Sequence, residues 1–355
     1  MKKVIYSESN RDLVLKFMCK ILFRLNGYNT HYEVKLRTKS YIDSFKTHDI
    51  SDIDVLAIDF SKDLNYFTIG SECKSGETGA LDEVYKLIGV SQSVKLDRSY
   101  FIKSKIHQNA RQIAAHNNIK CYSDAELRKL LSGFELELDK EINIERAKYS
   151  KIEQSFKILS KYNPKIVDYV TYEYWNKEDW RNIHNMVHIL SLNQTSDLLL
   201  NQNPIDKLAY YYIVELLSIS VLKTTAQAIV INYSDITSAV RTSLYGGSES
   251  LNERRKLFDL VGQVTKGKQD FSPEWESDLV NIGSRIALNT RSASFIPLLL
   301  QDIRENSFYN DKIDIKPDTI QRYPDGTRKF IQDIVQFVTK STGVSIEIFA
   351  EIMKI

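Results

Sequence analysis

An alternating pattern of apolar and polar residues early in the chain predicts two neighbouring strands. At period two, the runs SDIDVLAID and LNYFTIGSECK are both strand-like, and a short polar break separates them. Because side chains alternate across a strand, we expect Asp52 and Asp54 on one face of the first strand. Glu72 and Lys74 share a face of the second strand in the same way. The pattern therefore predicts that an acid of one strand meets an acid and a lysine of the other.

A helical stripe precedes these strands, and further alternating segments follow them. Apolar residues recur at helical spacing over 9–25, and Gly27 ends that helix. HYEVKLRT, RSYFIKS and IKCYS are strand candidates, whereas IHQNARQIAAHNN and DAELRKLL are helix candidates. Ser123 or Asp124 is the predicted cap of the second of these helices. Thr78, followed by Asp82 and Glu83, predicts a helix start after the second motif strand. The predicted order is α, β, β, β, α, β, α, β, α.

This order predicts an α/β domain, with a mixed sheet flanked by helices on both faces and finished near Leu131. Beyond that point long helical segments replace strands, so the C-terminal domain is expected to be all-α. The predicted helices there cover 152–162, 180–192, 205–232, 251–264, 275–289 and 327–340. The charged segment 133–150 is the expected joint, which gives domains of residues 1–135 and 136–355.

Composition narrows the class of protein. The chain has 355 residues, 43% of them apolar and 26% charged, as in soluble globular proteins with room for two domains. Three widely spaced cysteines form no zinc-type pair and predict free thiols in a reducing compartment. The first residues contain no apolar stretch of signal-peptide length, and the apolar segment 208–230 is interrupted by Glu215 and Lys223. We therefore expect a cytoplasmic protein without a membrane span.

The acids and the lysine of the two motif strands suggest a particular chemistry. Asp54, Glu72 and the backbone carbonyl of Cys73 supply oxygen ligands, which suit Mg²⁺ or Mn²⁺. Lys74 beside the metal would orient or deprotonate a water and stabilise charge on a phosphoryl oxygen. The alternative is an ordinary ion pair on a solvated strand. The run YFTIG favours the metal site, because it predicts a strand buried on both faces whose terminal charges need a partner.

These residues resemble the motif of a known group of enzymes. DVL at 54–56 and ECK at 72–74, on successive strands after a helix and a strand, are similar to the PD-(D/E)xK nuclease superfamily and to its Mrr-type restriction endonucleases. The resemblance covers residues 8–131 and continues past the motif through a helix containing NAR at 109–111, a short strand and a closing helix. Ile53 stands where the nominal motif has proline, a position that varies in the superfamily.

The resemblance implies a magnesium-dependent nuclease with a restriction-endonuclease-like sheet. In such an enzyme Asp54 and Glu72 bind the metal, and Lys74 serves the attacking water. A glutamate of the first helix often joins the site. Glu8 is the candidate here, and Asp12, one turn further on, could substitute for it.

A glutamine on the helix after the motif sometimes joins such sites as well, which makes Gln92 a candidate. Gly76 and Gly79 bracket a turn after the second motif strand that could let the backbone approach a phosphate, or could be a plain loop. Lys103 and Lys105, with Arg111, could contact a duplex backbone or form a solvated face.

Two other groups of residues have ordinary structural explanations beside a functional one. His184 and His188 have the spacing of zinc ligands on a helix, but the glutamate of the metalloprotease pattern is missing between them. Residues 210–212, all tyrosine, and Trp175 with Trp180 could stack on bases of a single strand. Packing in a core is the favoured explanation for these aromatic residues.

The expected function is cleavage of DNA by the N-terminal domain, with Mg²⁺ as the cofactor and Mn²⁺ as a substitute. The helical domain would sense, oligomerise or bind a protein partner such as an ATPase. Because one such site cuts one strand, double-strand cleavage would require a homo-oligomer. A role in defence against phage or plasmid DNA rests on analogy. Two alternatives stay open: a non-catalytic nucleic-acid-binding or scaffold subunit of a larger complex, and an RNA-cleaving nuclease.

Overall fold

The structure, a computed structural model, describes residues 10–39, 47–76, 78–192, 207–265, 272–309 and 317–355. The chain divides into two compact units. The first unit comprises Met1–Asp59 and Tyr66–Ser150, and the second comprises Phe60–Asn65 and Lys151–Ile355.

The first unit is a mixed sheet with flanking helices, in the element order that the sequence predicts. Its strands are β1 Asn29–Lys39, β2 Thr47–Phe60, β3 Tyr66–Lys74, β4 Arg98–Lys103 and β5 Ile119–Ser123. Its helices are α1 Asn10–Leu25, α2 Ala80–Val94, α3 Gln108–His116, α4 Asp124–Ser132 and the first part of α5 Leu138–Tyr162. The predicted α/β fold class is confirmed.

The five strands lie in the sheet in the order of the chain. Strands β1 and β2 pair antiparallel, whereas β3, β4 and β5 pair parallel. A loop of residues 61–65 joins β2 to its neighbour β3, and so short a connection requires an antiparallel arrangement. Strand β3, whose carboxyl end carries the motif, is the central strand of the sheet.

Helices cover both faces of this sheet, as predicted. Along β4, Tyr100 and Ile102 belong to a core that also contains α1 residues such as Phe17. Phe101 points the other way and packs with α2 and α3, for example against Val84. The alternation of side chains along one strand thus places helices on two opposite sides.

Sequence signals mark one helix start correctly and another only approximately. Ser123, one of the two predicted caps, caps α4 in a capping box with Glu126. The start of α2 is capped by Gly79 and not by the predicted Thr78. Gly79 has a φ of 77°, a left-handed conformation that glycine adopts without a steric penalty. The turn between the motif strand and α2 depends on that glycine.

The prediction that β3 is buried on both faces along the run YFTIG is wrong for its first half. Phe67 is 44% exposed, whereas Ile69 and Gly70 are buried. Gly70 lies so close to Leu96 that a Cβ there would clash with its Cδ1. The strand becomes buried only as it approaches the motif, so its outer end faces solvent on one side.

Helix α5 runs through the segment that composition marks as the joint. It is continuous from Leu138, so most of the charge in residues 133–150 belongs to a helix surface. Ile142 packs in the core that contains α1, and Lys148 pairs with Glu145 at 2.9 Å. The two compact units divide within this helix, at residues 150 and 151. The first unit therefore extends past residue 135.

From Lys151 onwards, the described regular elements of the second unit are all helices. The helices that the sequence predicts here are present. Others are not predicted, chiefly the helices Ile236–Ser243 and Ile296–Tyr309. The α-helices are α6 Pro164–Asp168, α7 Asp179–Ser191, α8 Leu208–Ile231, α9 Ile236–Ser243, α10 Ser248–Thr265, α11 Glu276–Leu288, α12 Thr290–Ala293, α13 Ile296–Tyr309, α14 Pro317–Gln321, α15 Asp325–Thr342 and α16 Ala350–Met353. A π-helix, Tyr169–Glu173, and two 3₁₀ helices, Tyr174–Asn176 and Ile346–Phe349, complete the described elements.

Helix α8 forms the centre of the helical unit. Among the described residues it is the one helix long and apolar enough to cross a membrane, and 72% of its most apolar window is buried inside the protein. It contacts α7, α9, α11, α13 and α15. This burial is typical of a core helix, as the interrupted apolar pattern predicts.

Candidate functional site

Asp54 is the most deeply buried of the three charged residues of the motif, Asp54, Glu72 and Lys74. It lies on β2, and its side chain is 1% exposed. The backbone N–H of Cys73 donates a hydrogen bond to Asp54 Oδ2 at 2.6 Å. On the other side, Asp54 Oδ1 lies 2.9 Å from the ammonium of Lys16, at ion-pair distance but without hydrogen-bond geometry. Asp54 is therefore held by β3 from one direction and by α1 from another.

Glu72 and Lys74 meet Asp54 at the end of β3, as the alternation predicts. Lys74 Nζ lies 2.9 Å from Glu72 Oε1 and 3.9 Å from Asp54 Oδ2. The side chains of Glu72 and Lys74 are 20% and 34% exposed. The three residues thus form one cluster that is closed at Asp54 and open to solvent at Glu72 and Lys74.

Burial and neighbouring charges shift the pKa values in this cluster. Burial raises the pKa of Glu72 to about 7, and the Asp54 carboxylate adds to the rise against the opposing charge of Lys74. Burial raises the pKa of Asp54 as well, although Lys16 and Lys74 oppose it. Burial alone would lower the pKa of Lys74, but Asp54 and Glu72 outweigh it and raise that pKa. At neutral pH Lys74 is therefore an ammonium, and Glu72 is near its midpoint.

The donors at this site fit a magnesium ion better than a softer metal. Within the described ranges, no group of three or more His, Cys, Asp or Glu side chains is placed to hold an ion. Two carboxylates are enough for Mg²⁺, which keeps several waters and takes further oxygens from substrate phosphates. Because the N–H of Cys73 points towards Asp54, its carbonyl oxygen points to the same side of β3. Asp54, Glu72 and the Cys73 carbonyl therefore offer an all-oxygen donor set.

The residues predicted to join the site from the helices have different positions. Glu8 lies outside the described residues. Its predicted substitute, Asp12, accepts a hydrogen bond from the backbone N–H of Ser75, directly after Lys74. Asp12 is therefore the first-helix acid that the structure brings to the motif.

Gln92 is not brought to the site. It is exposed and lies in the last turn of α2, whereas the first turn of that helix follows the motif. The chain beyond α2 returns to the opposite end of β3, where Asp97 accepts a hydrogen bond from the Thr68 N–H at 2.7 Å. The length of α2 thus separates Gln92 from Lys74.

The predicted basic contacts to a duplex are largely engaged within the protein. Lys103 is fully buried and pairs with Glu83 at 2.7 Å, so it forms neither a DNA contact nor a solvated face. Arg111 pairs with Glu126 at 2.7 Å. Lys105 is exposed. Of the three, Lys105 has the accessible side chain that a phosphate contact requires.

The histidine and tyrosine groups have structural roles. His184 packs against Trp275 with ring centroids 4.9 Å apart, and its Nε2 lies 2.9 Å from the Leu244 carbonyl oxygen. Burial lowers the pKa of His184, which is occupied by these contacts, whereas His188 is exposed. Tyr210 and Tyr211 are buried in α8. These two tyrosines therefore pack in the core and offer no face to a base, as the sequence favours.

Trp175 and Trp180 also pack against aromatic neighbours. Trp175 contacts Tyr174 edge-on, and Trp180 contacts His184 in the same manner.

No family model, curated protein or solved structure matches this chain. The relation to the PD-(D/E)xK superfamily therefore stays a prediction from the motif.

The site contains a second cation, Lys16, that the motif does not predict. Lys16 on α1 has no exposed side-chain surface and pairs with both Asp54 and Glu33. Four residues later Lys20, also buried, pairs with Glu145 at 2.8 Å. The available signal was the position of both lysines beside the apolar stripe of α1, at a spacing that places them on one side of the helix.

Proposed function

We propose that the first unit is a magnesium-dependent nuclease that hydrolyses phosphodiester bonds of DNA. One observation carries the proposal: Lys74 lies within 4 Å of both Glu72 and Asp54 where β3 ends and the cluster opens to solvent. Two carboxylates and an ammonium at one exposed edge are the groups that metal-assisted attack on a phosphate requires.

Each residue of the cluster would have its own role in phosphodiester hydrolysis. Asp54 and Glu72, with the Cys73 carbonyl, would hold the ion, which supplies Lewis acidity at a phosphoryl oxygen. Lys74, whose pKa is raised, would act as a charged hydrogen-bond donor that orients the attacking water and stabilises negative charge. The N–H of Cys73 fixes the Asp54 carboxylate in its orientation. An ammonium that stays protonated is a poor general base, so we assign Lys74 a positioning and electrostatic role.

The wider function extends this proposal. Cleavage of both strands of a duplex requires two such sites and hence an assembly of chains. The helical unit would provide the contact, with a second copy or with another protein such as an ATPase. A cytoplasmic role in defence against phage or plasmid DNA follows by analogy with the family that the motif resembles. Cleavage of RNA uses the same chemistry and is the alternative substrate.

A scaffold function without catalysis is the second candidate, and the burial of Asp54 favours it. An acid that is 1% exposed and already contacts Lys16 and Cys73 can stabilise a fold without any metal. Calorimetric titration with Mn²⁺ separates the two functions. A nuclease site binds the ion, whereas a scaffold gives no binding signal together with concentration-dependent association of the chain.

The test of the nuclease is cleavage of supercoiled plasmid and of a labelled RNA in Mg²⁺. We expect the wild-type protein to cut DNA, and chelation of the metal to abolish cutting. Asp54→Asn should lose at least about a hundredfold in rate, because a metal ligand is lost. The matched control is Asp52→Asn, two residues earlier on the same strand and paired with Lys35 at 3.5 Å. Equal cutting by all three proteins would contradict the proposal.

A further inference from the structure

Lys16 lies between two carboxylates that belong to neighbouring strands. Its ammonium is 2.9 Å from Asp54 Oδ1 on β2 and 3.1 Å from Glu33 Oε1 on β1. The Lys16 side chain is fully buried, and the Glu33 side chain is 7% exposed. One ammonium is therefore shared by two buried acids inside the protein.

The backbone at Glu33 is unusual and directs this acid towards Asp54. Strand pairing passes from Tyr32 with Val55 to Val34 with Ile53, which sets Glu33 opposite Asp54. Glu33 has a φ of 51°, a left-handed conformation that is uncommon for any residue except glycine. Such strained positions persist where the surroundings hold them, and they are concentrated at functional sites.

A third element also holds the Glu33 carboxylate. The hydroxyl of Tyr149, on α5, donates a hydrogen bond to Glu33 Oε2 at 3.1 Å. Glu33 is therefore fixed by α1 through Oε1 and by α5 through Oε2. Its carboxylate keeps one orientation beside Asp54.

Asp54 thus joins two acid pairs, each with its own ammonium. Its Oδ2 faces Lys74 and Glu72 at the open edge, whereas its Oδ1 faces Lys16 and Glu33 in the interior. A central carboxylate shared by two cation positions is the arrangement of sites in which two metal ions flank a phosphate. In this chain an ammonium takes the inner of the two positions.

We propose that Lys16 is a built-in cation that occupies the inner cation position and limits the site to one divalent ion, bound between Asp54 and Glu72. The inference rests on the proposed function, because it assumes a divalent ion at the outer position. Lys16 is a positioning residue, since it is enclosed and contacts the acid rather than substrate. Its removal would leave Asp54 and Glu33 facing each other, and two facing carboxylates are oxygen ligands for a hard cation.

The test counts bound Mn²⁺ per chain by electron paramagnetic resonance, with the metal alone and no nucleic acid. We expect about one ion for the wild-type protein and about two for Lys16→Met. The double variant Lys16→Met with Glu33→Gln should return to about one ion, because the inner position then lacks its second carboxylate. A count that stays the same in Lys16→Met as in the wild type would overturn the inference.

Lys20→Met is the matched control. Lys20 lies one turn further along α1, is nearly as buried, and pairs with Glu145 at 2.8 Å, away from Asp54. If loss of any buried ammonium loosened the unit and admitted metal, both variants would gain an ion. We expect the gain in Lys16→Met alone, and an equal gain in Lys20→Met would overturn the inference.

If Lys16→Met does not fold without metal, circular dichroism measures whether Mn²⁺ restores its folded structure. Mn²⁺ should then restore its helical signal and leave an unfolded Lys20→Met unchanged, because only the first variant presents two carboxylates to the ion. Failure of Mn²⁺ to restore Lys16→Met would overturn the inference. If wild-type protein bound no Mn²⁺, the proposed nuclease would fail instead. If the wild-type protein bound one Mn²⁺ ion and Lys16→Met bound no second ion, the Lys16 inference alone would be overturned.

Discussion

Each unit contains a cluster of buried charge, and the two clusters differ in their access to solvent. In the helical unit, Arg304 holds Glu215 through Nε at 2.8 Å and Nη2 at 3.4 Å, and neither side chain is more than 6% exposed. In the sheet unit Asp54 is equally buried, but its neighbours Glu72 and Lys74 reach solvent. Both clusters contain desolvated carboxylates, yet only the second has an open edge.

This difference separates a structural ion pair from a site that can bind. Burial of charge is costly, and the cost is offset only where geometry and additional hydrogen bonds are good. The planar guanidinium of Arg304 meets both oxygens of one carboxylate, which is a closed and directional arrangement. Lys74 is a point charge shared by two acids, and an incoming cation can take over that role. Access to solvent therefore indicates function more reliably than burial of charge does.

The largest expected effect is loss of stability in the closed cluster. Arg304→Met leaves Glu215 buried without its guanidinium, and we expect a loss of about 3–5 kcal/mol in the free energy of unfolding. Urea unfolding followed by circular dichroism measures it. The control is Lys340→Met, which removes the partner of Asp278 in an exposed pair of the same unit and should cost less than about 1 kcal/mol. If Arg304→Met were as mild as this control, the contrast between closed and open clusters would be lost.

The second-largest effect is expected in the open cluster around Glu72 and Lys74, and it is a change in cleavage rate more than in stability. Lys74→Met should lower the cleavage rate about 10²–10³-fold, because it removes a charged donor aimed at the developing negative charge. Single-turnover cleavage of plasmid in saturating Mg²⁺ measures that rate. Lys35→Met is the control, since Lys35 lies on β1 and pairs with Asp52. A Lys74 variant that retains the rate but unfolds more readily would identify Lys74 as a structural residue.

The fold could be predicted because strand and helix patterns depend on which faces are buried. Alternation along β4 and the helical stripe of α1 follow from a sheet covered on both sides, and the sequence shows both. The meeting of Asp54 with Glu72 and Lys74 follows from the same alternation. By contrast, α13 begins IPLLL with a proline at its second residue, and its apolar run gives no helical period.

The partners of buried lysines could not be predicted from local patterns. Whether Lys16 is buried depends on Glu33, which comes from a strand elsewhere in the chain and has an unusual backbone conformation. Lys103 similarly depends on Glu83 at the start of α2. A lysine beside an apolar stripe predicts burial only when an acid is known to lie opposite. The position of that acid is known only from the tertiary structure. The local pattern therefore places Lys103 on a surface and gives no role to Lys16.

A smaller effect is the pH dependence of metal binding at the open edge. The pKa of Glu72 is raised to about 7, so a proton and the ion compete for the same carboxylate near neutral pH. Mn²⁺ affinity should be level above about pH 7 and fall by up to about tenfold per pH unit below it. Calorimetric titration at several pH values measures this fall. Glu72→Gln should remove the pH dependence together with most of the affinity.

Without metal, the same shift predicts the opposite trend for stability. The folded protein binds a proton at Glu72 more tightly than the unfolded chain does, because the pKa rises from 4.5 to about 7. The contribution of Glu72 to stability is therefore greatest below pH 4.5 and is lost as the pH rises towards 7. Saturating Mn²⁺ should reverse that trend. Stability with the same pH dependence in both conditions would mean that the ion does not bind at Glu72.

The smallest effect is expected at the partly exposed ion pair between Arg111 and Glu126. Arg111 and the Ser123 N–H donate to Glu126, and these bonds lower its pKa to about 2, although its side chain is 48% exposed. Because that pKa lies below the usual 4.5, the contribution to stability is present above pH 4.5 and lost as the pH falls towards 2.

Ser123→Ala removes the cap of α4 and should cost about 1 kcal/mol by thermal unfolding, with Mn²⁺ binding unchanged. Water already solvates Glu126, so loss of its partners leaves no buried charge behind. A loss as large as that of Arg304→Met would show that access to solvent does not determine how strongly these clusters stabilise the protein.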